Sequence, residues 1–83
     1  MEHSERALKD IKKLESFLKK FKSLRLNEKY PSIFDHCLNY FKDSKHYFEK
    51  KDYFSSLGCS NYAYGMLESL LFLEKGKYFH ELE

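Results

Sequence analysis

The sequence predicts an all-α protein, a three-helix up-and-down antiparallel bundle that forms one domain over residues 1–83. Only three glycines and one proline occur in the 83 residues, which leaves little room for turns and favours few, long elements. Apolar residues recur at steps of three and four, the spacing of one face of a helix. A chain of this length buries a modest core, so its stability depends on good packing or on a partner.

The first predicted helix covers about residues 4–25. Its apolar stripe consists of Ala7, Leu8, Ile11, Leu14, Leu18 and Phe21. The opposite side carries Lys9, Lys13 and Lys20, and residues 6–29 contain nine Lys or Arg against three acids. Such an excess of positive charge makes the three lysines a candidate anion-binding face, although a solvated face of a lysine-rich helix has the same pattern.

The second predicted helix covers about residues 31–50. Pro31 fits its first position, because proline has a fixed φ and no amide hydrogen to leave unbonded. The small side chain of Ser44 interrupts the apolar stripe and would let a neighbouring helix come close. Residues 50–52 form a tight corner, and Asp52 is a good N-cap for the next helix. A connection this short requires the two helices to be antiparallel neighbours.

The third predicted helix covers about residues 53–75, and its first 21 residues contain one charged side chain, that of Glu68. Two neighbouring apolar seams run along it, which predicts contact with both other helices. One seam consists of Cys59, Ala63, Met66, Leu67, Leu70 and Leu73, and the other of Leu57, Tyr64 and Leu71. Gly58 and Gly65 share one face, seven residues apart. Because glycine inside a helix costs up to about 1 kcal/mol relative to alanine, this pair predicts close approach by another element.

Gly76 is predicted to end the third helix, because glycine readily adopts the left-handed conformation found after helices. Residues 76–83 would then form a short tail. The pattern leaves open whether Tyr78 and Phe79 pack on the core or face solvent.

The hairpin formed by the second and third helices carries a set of aromatic, acidic and small residues at fixed spacing over about residues 40–70. These positions are Tyr40, Asp43, Phe48, Asp52, Tyr62, Ala63, Gly65 and Leu67. In this pattern the chain resembles the archaeal domain-of-unknown-function family DUF 357. The resemblance implies a small three-helix bundle and an archaeal source, and it implies no known activity.

The chain departs from that family pattern at four positions. They are Ser44 and Ser69 in place of alanines, Lys51 in place of the corner glycine, and Glu68 in place of aspartate. The corner from Asp43 to Leu57 is also similar to a tetratricopeptide hairpin.

A candidate polar notch comprises Asp43, Tyr62, Gly65 and Glu68. Steps of three place the last three residues near one line of the helix, with the glycine opening a gap between a hydroxyl and a carboxylate. Counted from the corner, Asp43 lies within about 5 Å of the level of Tyr62. The alternative interpretation is a buried packing network in which the carboxylate satisfies a hydroxyl or a lysine.

The sequence contains no pattern typical of catalysis or of metal binding. His3, His36, His46 and His80 form no metal-ligand spacing, and no pair of cysteines lies near them. There is no nucleophile elbow and no glycine-rich phosphate loop. We therefore predict a protein that is not an enzyme and that uses no cofactor.

The leading functional prediction is a non-catalytic protein-interaction module, with an unknown partner protein or a second copy docking on the uncharged third helix. The alternative is a nucleic-acid-binding accessory protein that uses the basic face of the first helix. Serine, asparagine and glutamate inside residues 53–73 argue against a membrane span. With no signal peptide apparent at the N-terminus, we expect a cytoplasmic protein.

Overall fold

A computed structural model describes residues 2–82 of the chain. The α-helices are α1 (His3–Ser23), α2 (Leu26–Lys29), α3 (Pro31–Glu49) and α4 (Tyr53–Lys75). A 3-10 turn follows at Phe79–Glu81. No strand occurs within residues 2–82, so the predicted all-α class is confirmed. The short helix α2 and the 3-10 turn are additions that the sequence pattern did not indicate.

The connection after α1 is itself helical. Arg25 adopts a left-handed conformation with φ of 62°, which ends α1 two residues before the predicted boundary. The chain then forms α2, whose Leu26 is buried in the core at 4% exposure. Because this leucine anchors the connection, the segment before Pro31 is held against the rest of the molecule. Pro31 is the first residue of α3, as predicted.

The corner between α3 and α4 follows the predicted capping chemistry. The Asp52 carboxylate accepts a hydrogen bond from the Ser55 amide at 3.1 Å, which confirms the predicted N-cap. Lys51, at the position where the family pattern has glycine, has a left-handed φ of 64°. At its other end α4 stops at Gly76, whose φ of 67° confirms the predicted stop.

The core lies where the three long helices meet, each of them in contact with the other two. Its side chains with the lowest exposure include Leu14, Phe17, Phe21, Leu67 and Leu71. The Phe17 ring lies at the centre of an aromatic group and stacks on the Phe79 ring with centroids 4.3 Å apart. The tail beyond α4 therefore folds back and closes the core, since Phe79 is only 4% exposed.

The buried face of α4 coincides only in part with the predicted apolar seams. Ala63, Leu67 and Leu71 are buried as expected, but Ser56 and Ser60, which belong to neither seam, are buried with them. Leu73, assigned to a buried seam, is 79% exposed. The reason is that α4 is apolar on nearly every side, so hydrophobicity alone does not select a face. Small residues face α3 because that neighbour lies close.

The close approach predicted at Gly58 and Gly65 is absent, and that prediction is wrong. Both glycines are exposed, and apart from the adjacent turns of α4 itself, a Cβ added at either would meet no atom of residues 2–82 within 4 Å. The close contact lies on the opposite side of α4, where Ser44 of α3 meets Ser56, both fully buried. The predicted role of Ser44 in allowing a neighbouring helix to come close is confirmed.

Candidate functional site

The outward side of α4 is exposed and carries no charged side chain between Tyr53 and Leu73. Its exposed residues are Phe54, Gly58, Asn61, Tyr62, Gly65, Ser69, Phe72 and Leu73, which we call the α4 outer face. Two of its apolar side chains are almost free of contacts, because Phe54 is 85% and Leu73 79% exposed. A surface helix normally places charged residues on its solvent side. The α4 outer face departs from that rule over five turns.

A shallow cavity of about 470 Å³ lies at the C-terminal end of the α4 outer face. Its lining residues are Gly65, Glu68, Ser69, Phe72, Leu73 and Tyr78. One wall is the tail, since the Tyr78 ring stacks on the Phe72 ring with centroids 4.9 Å apart. Glu68 holds the tail in place by accepting a hydrogen bond from the Phe79 amide at 2.7 Å. The only charge of the apolar part of α4 is thus engaged in fixing the tail.

The structure brings together two of the four predicted notch residues. Gly65 and Glu68 line the same cavity, but Tyr62 and Asp43 lie elsewhere. The Tyr62 ring packs against Tyr40, with centroids 4.7 Å apart. Asp43 is exposed on α3.

The register of α3 against α4 explains this separation. The buried Ser44–Ser56 contact places Asp43 level with about residue 57 of α4. Tyr62 is then about 7.5 Å further along the helix axis, rather than the smaller offset predicted from the corner. The Ser44–Ser56 pair centres the hairpin at about residue 50, one residue earlier than the sequence count assumed.

A second concave surface lies between the N-terminal halves of α1 and α4, with a volume of about 680 Å³. Its lining residues are His3, Arg6, Lys9, Asp10, Lys13, Phe54, Leu57 and Asn61, and we call it the basic groove. Two of the three predicted anion-binding lysines lie here, and Lys20 does not. The Lys13 Nζ atom lies 4.4 Å from the centre of the Tyr64 ring, so the aromatic face of α4 attracts this cation.

Sequence reasoning missed the residues of α4 that complete the basic groove. Phe54 and Asn61 are far from Arg6 in the chain, and no spacing within one helix connects them. A signal was present in the predicted up-and-down bundle, because that arrangement separates the first and last long helices by one antiparallel helix. It therefore predicts that their N-terminal halves lie side by side.

A third polar group, also missed, joins the end of α4 to the start of α3. The Glu74 carboxylate accepts hydrogen bonds from the Tyr30 hydroxyl and from Lys29 Nζ, the latter at 3.0 Å. The Tyr30 hydrogen bond, and after it the Lys29 contact, holds the pKa of Glu74 below its ordinary value. These contacts join the end of α4 to the residues just before α3.

The two thiols are poor nucleophiles. Cys37 is buried, and this burial raises its pKa to about 11. The pKa of Cys59 is also raised, chiefly by burial and to a smaller extent by the charge of Asp43. Thiolate is the reactive form, so both side chains act as small apolar fillers at neutral pH.

Two further features of the described chain bear on its chemistry. Across residues 2–82 no three His, Cys, Asp or Glu side chains converge as ligands of a metal ion. Within the same range, none of the helices combines the length and the apolarity needed to cross a bilayer.

Comparison with known proteins gives a family and nothing more specific. Neither a curated protein nor a solved structure matches the chain. The match to the family extends over residues 5–81, so it includes α1, which the resemblance in the α3–α4 hairpin did not cover. The chain belongs to the family described as "Protein of unknown function (DUF357)".

Proposed function

We propose that the chain is a non-catalytic protein-interaction module, in which three long helices in an up-and-down antiparallel arrangement present the α4 outer face to a partner protein. One observation carries this proposal: the solvent side of α4 is uncharged from Tyr53 to Leu73 while most other surface positions are charged or polar. Folding does not require that pattern, because the core is built from the other side of the same helix.

The size of the α4 outer face fits a docking surface. From Phe54 to Leu73 it extends for about 28 Å along the helix axis. It has apolar side chains at both ends, and between them lie Gly58, Asn61, Tyr62, Gly65 and Ser69. Contiguous exposed apolar surface of a few hundred Å² or more marks interaction sites in proteins. The apolar ends, with the Tyr62 ring between them, suit an elongated partner element.

The setting we propose for this module is the cytoplasm of an archaeal cell. The inert thiols and the fully paired Glu74 support a role in binding over a role in catalysis. A partner that covers Phe54 and Leu73 removes from water the two most exposed large apolar side chains of residues 2–82.

Affinity capture with surface variants tests the proposal. The tagged chain is incubated with a lysate of the source organism, with and without nuclease, and bound proteins are identified by mass spectrometry. We expect a protein that is retained after nuclease and moderate salt and is lost with Phe54→Glu or Leu73→Glu. Lys19→Glu, a charge change at an exposed position of α1, is the matched control and should retain it. If the α4 variants capture the same proteins as the unchanged chain, the proposal fails.

A second candidate function, binding of nucleic acid, is favoured by the two lysines that line the basic groove beside Phe54. Lysines can bind phosphates while an exposed aromatic ring stacks on a base. Fluorescence anisotropy with labelled single-stranded and duplex DNA tests this function. Affinity should fall steeply between about 50 and about 200 mM salt. It should disappear when Lys9, Lys13 and Lys20 are replaced by Glu, whereas docking through the α4 outer face should change little.

A further inference from the structure

The basic groove combines apolar side chains of α4 with cationic side chains of α1. Phe54 and Leu57 are three residues apart on α4, so they lie on one side of that helix. Arg6, Lys9 and Lys13 line the α1 side. Phe54 belongs to both the basic groove and the α4 outer face, which makes the two surfaces continuous.

The cations of the basic groove are not neutralised within the chain. No ion pair of residues 2–82 uses Arg6, Lys9 or Lys13. Asp10 is the one carboxylate in the lining, against three permanent cations. The groove therefore has a positive potential and attracts a negatively charged occupant.

We infer that the basic groove binds an acidic amphipathic helix of the partner protein. This inference rests on the proposed function and names the chemistry of the partner. Apolar side chains of that helix contact Phe54 and Leu57, while carboxylates one turn away pair with Arg6, Lys9 and Lys13. Asn61 adds an amide that can donate to or accept from the partner.

The dimensions and the charges favour a short helix over a nucleic acid. The groove runs beside residues 3–13, about 15 Å along α1, which corresponds to about three turns of a docked helix. Asp10 interrupts the row of cations, and Lys20 lies outside the groove. Three cations neutralise only a few phosphates of a nucleic acid, since duplex DNA carries one charge for about every 1.7 Å and affinity rises with each phosphate neutralised. A helix with two or three carboxylates needs only the cations that are present.

The test uses synthetic peptides and the ¹⁵N-labelled chain, with amide shifts as the readout. Three peptides of about 14 residues share one leucine stripe and carry Glu, Gln or Lys at the flanking positions. We expect the Glu peptide to shift amides of residues 3–13 and 54–61. The Gln peptide should bind about tenfold more weakly, because each exposed ion pair contributes a factor of roughly two. The Lys peptide should not bind.

A charge reversal makes the test specific to the groove. The double variant Arg6→Glu, Lys9→Glu should no longer bind the Glu peptide and should bind the Lys peptide instead. Both residues are exposed, so the fold should be kept, and circular dichroism verifies this. Lys19→Glu makes a similar change outside the groove and should leave the preference for the Glu peptide intact.

Three outcomes would overturn the inference. Equal affinity for the Glu and Gln peptides, or no shifts with any peptide, would show that the cations recruit no acidic helix. Tighter binding of a single-stranded DNA of about 20 nucleotides at the same amides would assign the groove to a polyanion. Amide shifts confined to Tyr62–Leu73 would show that the peptide does not bind in the basic groove. The α4 outer face would still be supported as a docking surface.

Discussion

Ser44 and Ser56 exchange hydrogen bonds across the contact between α3 and α4. The Ser44 hydroxyl donates to the Ser56 carbonyl oxygen at 2.8 Å, and the Ser56 hydroxyl donates to the Ser44 carbonyl oxygen, also at 2.8 Å. Both side chains are fully buried. This reciprocal pair holds the two helices close together at one level, with Ser56 on the side of α4 that faces α3.

Replacing Ser44 tests the reciprocal pair. Ser44→Ala removes one buried hydrogen bond and should lower the free energy of unfolding by about 1 kcal/mol. Ser44→Leu should lower it by about 2 kcal/mol or more, because the side chain has no room between the helices. Urea denaturation measures both changes. Ser16→Leu, at an exposed position of α1, is the control and should have little effect. If Ser44→Leu and Ser16→Leu change the free energy of unfolding equally, α3 and α4 are not closely packed at Ser44.

Lys51 adopts a conformation that suits glycine. Its φ of 64° strains a side chain with a Cβ, so Lys51→Gly should raise the free energy of unfolding by about 1 kcal/mol. The neighbouring Lys50 has φ of −83° and gains no such relief, so Lys50→Gly should lower it. Thermal denaturation should therefore show a higher melting temperature for Lys51→Gly and a lower one for Lys50→Gly. A lower melting temperature for Lys51→Gly would contradict it.

Phe79 closes the core from outside α4. Its ring stacks on Phe17, and it is 4% exposed, so Phe79→Ala should cost about 3 kcal/mol. Tyr78→Ala, at a neighbouring position that is 44% exposed, is the matched control and should cost far less. Denaturation curves compare them. Equal, small losses would mean that the tail does not pack on the core in solution.

Because of Glu74, the free energy of unfolding should depend on pH in the acidic range. Its pKa is lowered by the Tyr30 hydrogen bond and then by Lys29, so the folded state favours the carboxylate. The resulting stabilisation is fully present above the ordinary carboxyl pKa of 4.5 and is lost as pH falls through the lower folded pKa. The difference in free energy of unfolding between the unchanged chain and Glu74→Gln should therefore be constant near neutral pH and shrink below about pH 4.5.

Tyr30→Phe provides the complementary variant for this group. It removes the largest cause of the shift, so the chain should show a weaker dependence on pH over the same range while keeping the Lys29 contact. A pH profile identical to that of the unchanged chain would show that the hydroxyl does not bind the Glu74 carboxylate in solution.

Local chemistry could be predicted from the sequence, and contacts between elements only in part. Asp52 and Gly76 were assigned correctly because a cap depends on a few adjacent residues. The pairing of Ser44 with a neighbouring helix was foreseen from its small size, although its partner was not. The packing of Phe79 was left open, since two adjacent aromatic residues in a short tail show no periodicity that selects a buried side.

The exposed side of α4 could not be predicted, for a physical reason. Hydrophobic periodicity identifies a buried face only when the other face is polar. Residues 53–73 carry only one charged side chain, that of Glu68, so Leu73 was expected inside and Ser60 was not. Because α4 lacks charge on nearly every side, Gly58 was also expected, wrongly, to contact another element. The near absence of charge on α4, which made its buried face unpredictable, is also the property on which the proposed docking surface rests.

The most direct test of the proposed docking surface is site-specific photocrosslinking in cells of the source organism. A benzophenone amino acid is placed at Tyr62 or Leu73 of the α4 outer face, and at Lys19 of α1 as the control. The account predicts a nuclease-resistant adduct with one protein from the first two positions and none from the third. Adducts that form equally at Lys19, that vanish with nuclease, or that never form at Tyr62 and Leu73 would contradict it.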